Sequence, residues 1–172
     1  MINIVLFEPE IPGNTGNIMR TCVAVGAHLH LIKPLGFSLD DSYLKRSGVN
    51  YIDKLTYTVY ENWDDFKGKN DGDFYYFTRY GHKPHTSFDY SDVTRNIYLV
   101  FGKESTGIPK SILQKDLEHC TRLPMTDNVR SLNLSNTVAI ATYEVLRQQN
   151  YYGLLFEEPH KGSDYLERDE IY

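Results

Sequence analysis

The sequence predicts an α/β domain, with a mostly parallel β-sheet flanked by helices. Continuous apolar runs, which are typical of strands buried on both faces, alternate along the chain with segments of helical periodicity. The 172 residues suffice for one domain with a substantial core, and no internal repeat divides them. No apolar run approaches the roughly 20 residues of a membrane span, and the N-terminus lacks the features of a signal peptide. We therefore expect a cytoplasmic protein with no membrane partner.

The predicted elements are six strands and five helices. The first strand is the apolar run at 2–7, and the helix at 14–25 carries its apolar residues on one face and stops at Gly26. The helix at 109–115 starts at Pro109, whose missing N–H costs little in a first turn. The other predicted strands lie at 28–32, 55–60, 73–78, 96–101 and 120–123, and the other helices at 38–47, 62–69 and 130–148.

The helix predicted at 130–148 has two different ends. Small polar residues crowd its start, where side-chain oxygens accept the unpaired backbone N–H groups of a first turn. From Val138 to Leu146 it is apolar on nearly every side, which is typical of a helix buried between layers or against a partner. We therefore expect a buried helix whose polar end faces a ligand. The polar residues are Ser131, Asn133, Ser135 and Asn136.

The net charge of −5 is unevenly distributed. Residues 1–150 hold 16 basic and 17 acidic side chains, whereas residues 151–172 hold 2 and 6. The acidity therefore lies mainly in a tail, and the body could still present a basic face to a nucleic acid. We predict one domain at 1–152 and an acidic C-terminal extension at 153–172. The two cysteines lack metal-binding spacing and suit a reducing cytosol.

Polar residues gather in four loops that leave the carboxyl ends of predicted strands, the edge where open parallel sheets bind ligands. These loops are 8–17, 79–82, 102–107 and 124–130. The third fails as a phosphate loop, because position 97 is not Gly and Glu104 follows the Gly-Lys pair. It is either a tight turn or a close backbone approach to a ligand at Gly102, with Glu104 facing a cation or a hydroxyl.

Two further features leave alternatives open. Asn14 can cap the helix that follows it, and Arg20 lies off the apolar face, so spacing alone allows either a solvated or a functional arginine. His82 and His85 flank Lys83-Pro84, but a zinc site would need further ligands nearby. We expect no metal there and favour a loop that faces RNA.

Three motifs, in this order, resemble those of the SPOUT-class RNA 2′-O-methyltransferases. The close resemblance is to the small single-domain branch called the YibK or TrmL type, which methylates cytidine or uridine 34 of tRNA. It runs from Ile2 to about Tyr152, and the chain lacks the separate RNA-binding domain of larger relatives. The motifs are Asn14…Gly16-Asn17…Arg20, Phe101-Gly102-Lys103-Glu104-Ser105…Gly107, and Leu123-Pro124-Met125…Ser131-Leu132-Asn133-Leu134-Ser135-Asn136.

The resemblance implies a SPOUT fold, in which the C-terminal part of the chain forms a trefoil knot. It implies S-adenosylmethionine as cofactor, released as S-adenosylhomocysteine. The family commonly has an aliphatic residue where this chain has Phe77, a change that a backbone contact tolerates. The implied cofactor-binding residues are Phe77, Gly102, Leu123, Met125, Ser131 and Leu132.

The resemblance also implies that Arg20 activates the ribose 2′-hydroxyl. An ordinary arginine, whose pKa lies far above neutral pH, is a poor base. We therefore favour a clamp on the adjacent phosphate that stabilises developing alkoxide charge, with proton abstraction as the alternative. The matching catalytic and supporting residues are Arg20, Asn14, Glu104, Ser131 and Asn133.

The resemblance further implies a homodimer through the C-terminal helix, with Arg20 of one chain near the cofactor of the other. A two-fold interface would merge the basic residues of two bodies into one RNA groove, and the expected partner is the anticodon stem-loop of tRNA. The predicted RNA-binding residues are Arg20, Lys45, Arg46, Arg79, Lys83 and Arg130, with Lys33 and Arg122 as further candidates.

The predicted function is S-adenosylmethionine-dependent 2′-O-methylation of the ribose at position 34 of tRNA. One alternative is a 2′-O-methyltransferase that acts on ribosomal RNA, and another is a non-catalytic RNA-binding SPOUT protein. A nucleotide-binding regulator is a third, weakened by the failed phosphate loop.

Overall fold

The computed structural model describes residues 1–40 and 53–168. The strands are β1 (Ile2–Phe7), β2 (His28–Ile32), β3 (Tyr57–Tyr60), β4 (Asp73–Phe77), β5 (Lys83–Pro84), β6 (Ile97–Phe101) and β7 (Cys120–Arg122). The helices are α1 (Pro12–Val25), α2 (Trp63–Lys69), α3 (Lys110–Leu113) and α4 (Leu134–Gln148). Short 3-10 turns cover His85–Ser87, Leu117–His119 and Tyr165–Glu167.

The seven strands form one sheet in the order β3-β2-β1-β6-β4-β7-β5. Every strand pair is parallel. The predicted α/β class with a mostly parallel sheet is therefore confirmed. Because β1 lies between β2 and β6, the chain runs outward from β1 in both directions, which creates a switch point at its carboxyl end.

Two apolar layers cover the sheet. Helices α1 and α4 pack on one face, where Ile18 and Val138 are fully buried with the inward residues of β1 and β6. Helices α2 and α3 pack on the other face, where Phe66 and Ile112 join a cluster rich in aromatic side chains. Both faces of β1 are therefore buried, which explains why its sequence is a continuous apolar run.

Several predicted boundaries are wrong. Helix α1 starts at Pro12 rather than Asn14, with Pro at a first-turn position that needs no N–H donor. Helix α4 starts at Leu134 rather than Arg130, and residues 130–133 are non-helical. The short strand β5 was not predicted, because two residues show no periodicity. The helix predicted at 38–47 lies mostly outside the described residues.

The apolar surface of α4 also needs correction. Val138, Ala141 and Val145 are buried within the protomer against α1 and β6, so a partner is not needed to cover them. Only part of the helix surface remains apolar and open, since Ile140 is 44% exposed and Tyr143 is 48% exposed.

Candidate active site

The carboxyl ends of the central strands bring three of the polar loops together. In the sheet register, Phe77 lies beside Phe101 of β6 on one side and beside Thr121 of β7 on the other. Gly102 directly follows Phe101, and Leu123 lies two residues after Thr121. The loops that leave β4, β6 and β7 therefore start side by side.

Glu104 joins the loop after β6 to the start of α1. Its Oε2 accepts the backbone N–H of Glu10 at 2.9 Å, and its Oε1 accepts the N–H of Ile11 at 3.2 Å and the Asn14 amide at 3.1 Å. A carboxylate at a helix N-terminus is favourable because unpaired N–H groups and the helix dipole both attract negative charge. The expectation that Glu104 faces a cation or a hydroxyl is wrong for these atoms, which accept three N–H bonds from the chain itself.

Asn14 and Asn133 extend this cluster to α4. The Asn133 amide donates to Oδ1 of Asn14 at 3.0 Å, and its own Oδ1 accepts the N–H groups of Ser135 and Asn136 at 2.9 and 3.3 Å. Asn14 is buried inside the first turn of α1 and does not cap it, since Ile11 holds that position. Glu104, Asn14 and Asn133 thus form one hydrogen-bonded chain, which we call the three-loop network.

A second set of contacts closes the loop after β6. Gly102 lies against the backbone of Gly107 and Ile108, where an added Cβ would come within 2.1 Å of a carbonyl carbon. The close approach that demands this glycine is therefore the loop's own backbone. The Lys103 ammonium pairs with Glu8, which raises the pKa of Lys103, and Ser105 donates twice to Glu10, which lowers the pKa of that carboxyl.

Sequence reasoning missed the part that Glu8 and Glu10 play in this closure. Their carboxylates hold Lys103 and Ser105 from the loop after β1. The sequence signal was the acidic pair Glu8 and Glu10 in the loop after β1, together with Lys103 and Ser105 in the loop after β6.

Arg20 lies on the exposed side of α1, six residues after Asn14. At 1.5 Å of rise per residue, its Cα is about 9 Å further along the helix axis than that of Asn14. Its guanidinium is therefore carried on the same rigid element as the network, on the outer surface of the molecule.

The residues predicted to bind the cofactor lie at or just after the ends of β4, β6 and β7, or directly before α4. Phe77 turns its ring into the core, where it stacks on Phe101 with centroids 4.8 Å apart. Leu123 is buried and Met125 is half-buried, while Leu132 leaves 38% of its surface exposed just before α4. Apolar side chains around a strand-end loop suit a flat ring. Ser131, directly before Leu132, is exposed and polar.

The predicted RNA-binding residues are scattered at this edge. Arg79 and Arg130 are exposed, and the Arg79 guanidinium donates to the Tyr80 hydroxyl at 2.6 Å. Lys83 is exposed but pairs with Glu118 at 3.0 Å. Lys45 and Arg46 lie outside the described residues.

The His82–His85 loop gathers no metal ligands. Within the described ranges, 1–40 and 53–168, no group of three or more His, Cys, Asp or Glu side chains could hold a metal ion. In the same part of the chain, no helix is long and apolar enough to cross a membrane.

Comparison with known proteins identifies a family whose match to this chain includes the motif residues. Residues 1–143 match the SpoU rRNA Methylase family. The chain belongs to this family. The predicted family is confirmed, and the match contains all three motifs.

Individual relatives agree over almost the whole chain. A protein of Listeria monocytogenes serotype 4b (strain F2365), provisionally named tRNA (cytidine(34)-2′-O)-methyltransferase, is 54% identical over 159 residues, which are 92% of this chain and 94% of that protein. A crystal structure of a provisionally named RNA methyltransferase from Bacillus anthracis is also 54% identical, with a TM-score of 0.87, covering 92% of this chain and 100% of the other.

A third relative is described by its reaction. This solved structure is presented as giving structural insights into the 2-OH methylation of C/U34 on tRNA. It is 35% identical, has a TM-score of 0.81, and covers 88% of this chain and 97% of the other.

Proposed function

We propose that this protein methylates the 2′-hydroxyl of the ribose at position 34, cytidine or uridine, of tRNA, with S-adenosylmethionine as the methyl donor. The observation that carries the proposal is the three-loop network of Glu104, Asn14 and Asn133, which holds the start of the helix that carries Arg20 in a SpoU-family chain. The name of the Listeria relative and the description of the solved C/U34 structure both specify position 34 of tRNA, which supports the choice of substrate.

The reaction requires positioning more than strong acid or base. S-adenosylmethionine, when bound, supplies a methyl group already activated on a sulfonium. The residues of this chain would therefore have to hold the ribose 2′-hydroxyl in line with that methyl group and help the hydroxyl proton to leave. Holding the two reactants in line can contribute roughly 7–11 kcal/mol to such a step.

Arg20 would provide the charge that this step needs. The planar, cationic guanidinium of an arginine suits a clamp on the phosphate beside the reacting ribose and a stabiliser of developing negative charge on O2′. Asn14, Glu104 and Asn133 would act as positioning residues, because their polar atoms bond to one another and fix the start of α1. Ser131, exposed next to this network, would contact the ribose.

The cofactor would lie against Phe77, Gly102, Leu123, Met125, Ser131 and Leu132. Their apolar side chains and strand-end backbone suit adenine and ribose. The C-terminal trefoil knot belongs to this proposal. Contacts of Gln148 and Gln149 with the backbone of Phe88 and Tyr90, at 2.8–3.1 Å, support it, because they draw the end of α4 against the segment between β5 and β6.

The proposal extends to the assembly and its setting. A homodimer would form through the exposed stripe of α4, with Ile140 and Tyr143 at its centre. The anticodon stem-loop would lie along the carboxyl edge of the sheet, against Arg20, Arg79 and Arg130. We also propose that the enzyme is cytoplasmic, because its two cysteines are free and buried, as is usual in a reducing compartment.

The decisive test is methyl transfer by Arg20→Ala. We expect this variant to lose transfer to unmodified tRNA while binding S-adenosylhomocysteine with nearly unchanged affinity by calorimetry. Arg168→Ala, which removes an exposed arginine of the C-terminal segment, is the matched control. Full turnover by Arg20→Ala would refute the assignment.

Mass mapping of the methylated nucleoside tests the substrate. We expect the label at nucleotide 34. Methylation of ribosomal RNA alone would favour the first alternative, and failure to bind S-adenosylhomocysteine would favour a non-catalytic RNA-binding protein.

A further inference from the structure

A cavity of about 340 Å³ opens between α2 and α3, on the face of the sheet opposite to α1 and α4. Phe7 at the end of β1 and Trp63 at the start of α2 form its aromatic part. Asn62, Asp64, Ser111 and Lys115 add polar groups. Its volume lies within the range of pockets that take small organic ligands. Neither the proposed cofactor site nor the three-loop network uses any of these residues.

The lining has the chemistry of a nucleobase site. Trp63 is half-buried and is held by rings behind it, with centroids 5.3 Å from Phe66 and 6.2 Å from Phe7. A fixed indole that remains partly exposed offers a flat surface on which a base can stack. The Asp64 carboxylate can accept a hydrogen bond from an exocyclic amine, as acidic side chains do with cytosine. The exposed Lys115 can reach a backbone phosphate.

The cavity adjoins the candidate active site. Glu8 lines it and also pairs with Lys103, which directly precedes Glu104 of the three-loop network. Both sites therefore open at the carboxyl edge of the sheet, on opposite sides of β1 and β6. An RNA strand that runs along this edge of the sheet would pass both sites.

We propose that this cavity binds an unstacked base of the substrate RNA, distinct from the methylated nucleotide, and that it prefers a base with an exocyclic amine. The inference rests on the proposed function for the identity of the RNA. It adds a second point of recognition, which reads a neighbouring base while Arg20 acts on the reacting ribose.

Trp63 is the only tryptophan in the chain, so its fluorescence reports on the cavity directly. The first experiment titrates the wild-type protein, saturated with S-adenosylhomocysteine, with a tRNA anticodon stem-loop. We expect Trp63 emission to be quenched along the same curve as RNA binding measured by filter retention. Unchanged emission at saturating RNA would overturn the proposal. Emission that S-adenosylhomocysteine alone quenches, with no further quenching by RNA, would overturn it as well.

Surface variants then test the lining without disturbing the core. Ser111→Leu fills the cavity from an exposed position, and Lys115→Ala removes the cation. We expect each to raise KM for tRNA, on the order of tenfold for the blocked base, with kcat and the KM for S-adenosylmethionine unchanged. Lys54→Ala, an exposed lysine that precedes β3 at the opposite edge of the sheet, is the matched control.

The base preference is tested separately with Asp64→Asn. A set of stem-loops is used, in each of which one loop base other than nucleotide 34 is replaced by uracil. At one position the replacement should weaken binding to the wild type, and it should weaken binding to Asp64→Asn by a smaller factor. Asp71→Asn, exposed at the amino end of β4, is the control. If methylation proceeds but neither emission nor KM responds, the cavity inference fails and the proposed function stands; if no RNA is methylated or bound, the proposed function fails first.

Discussion

Individual side chains in this protein are committed to partners far away in the sequence. Glu104 bonds to groups 90–94 residues earlier, and Asn133 bonds to Asn14 across 119 residues. Each of these bonds ties a loop to the start of α1. The polar residues of the motifs therefore build the shape of the site, at the start of the helix that carries Arg20.

Replacing Glu104 tests this at the residue scale. Glu104→Gln puts an amide donor where the chain presents three N–H groups, so at least one bond is lost and a donor faces a donor. We expect unfolding to need about 1.5–3 kcal/mol less free energy, the usual contribution of bonds to a charged acceptor. Methyl transfer should fall as well. Denaturant unfolding measures the first effect, and Glu157→Gln in the exposed tail is the control.

His30 gives the protein a defined sensitivity to acid. Burial, with a smaller contribution from His28, lowers the pKa of His30 to about 3. Its ring bonds to the Tyr60 hydroxyl at 2.9 Å and to Asn3 at 3.1 Å. Because the folded protein binds this proton less readily than the unfolded chain, stability is full above about pH 6.5 and declines as the pH falls toward 3.

The expected loss from His30 is about 1.4 kcal/mol per pH unit below 6.5, or about 2 kcal/mol at pH 5. His30→Gln can keep both hydrogen bonds without the titration. Its free energy of unfolding should therefore fall less between pH 7 and pH 5, whatever its value at pH 7. Equal pH slopes for the variant and the wild type would contradict this origin of the acid sensitivity, and His160→Asn is the control.

At the scale of elements, α4 depends on how it begins. Asn133 accepts two backbone N–H groups of the first turn and donates to Asn14 from the same amide. One residue thus stabilises the helix and connects it to α1. A strong N-cap at Asn133 also explains why the helix cannot start at Arg130.

The two tasks of Asn133 can be separated by substitution. Aspartate is as good an N-cap as asparagine but cannot donate to Asn14, and its charge lies near Glu104. We expect Asn133→Asp to keep the cap and lose most methyl transfer, whereas Asn133→Ala also loses about 1 kcal/mol of stability. Thermal unfolding with a parallel activity assay distinguishes them. Equal activity of Asn133→Asp and the wild type would show that the contact with Asn14 is dispensable.

At the scale of the whole molecule, α4 packs mainly into the core of its own protomer. Its inner side fills the core through Val138, Ala141 and Val145, while Ile140 and Tyr143 stay open. An exposed pair of this kind on a central helix is what the proposed two-fold interface would cover. The same helix carries Asn133 at its start, so a dimer through α4 would be coupled to the site.

The exposed and buried sides of α4 predict different outcomes when an aspartate is introduced on each. Tyr143→Asp should yield a folded monomer with little methyl transfer, because it charges the open stripe. Val138→Asp should unfold the protomer, since it buries an unpaired carboxylate at a fully buried position. Light scattering and circular dichroism measure the two results. A dimeric Tyr143→Asp protein would place the interface elsewhere.

The sequence alone determined the α/β class, most strands and helices, and the order of the motifs, because buried strands and helix signals are written in local periodicity. It did not determine that Glu104 bonds to the start of α1, that Asn14 is buried rather than a cap, or which side of α4 is open. Those facts depend on the strand order, which brings together groups about 100 residues apart. Only the tertiary structure decides that order, since no local pattern encodes which strand becomes the neighbour of another.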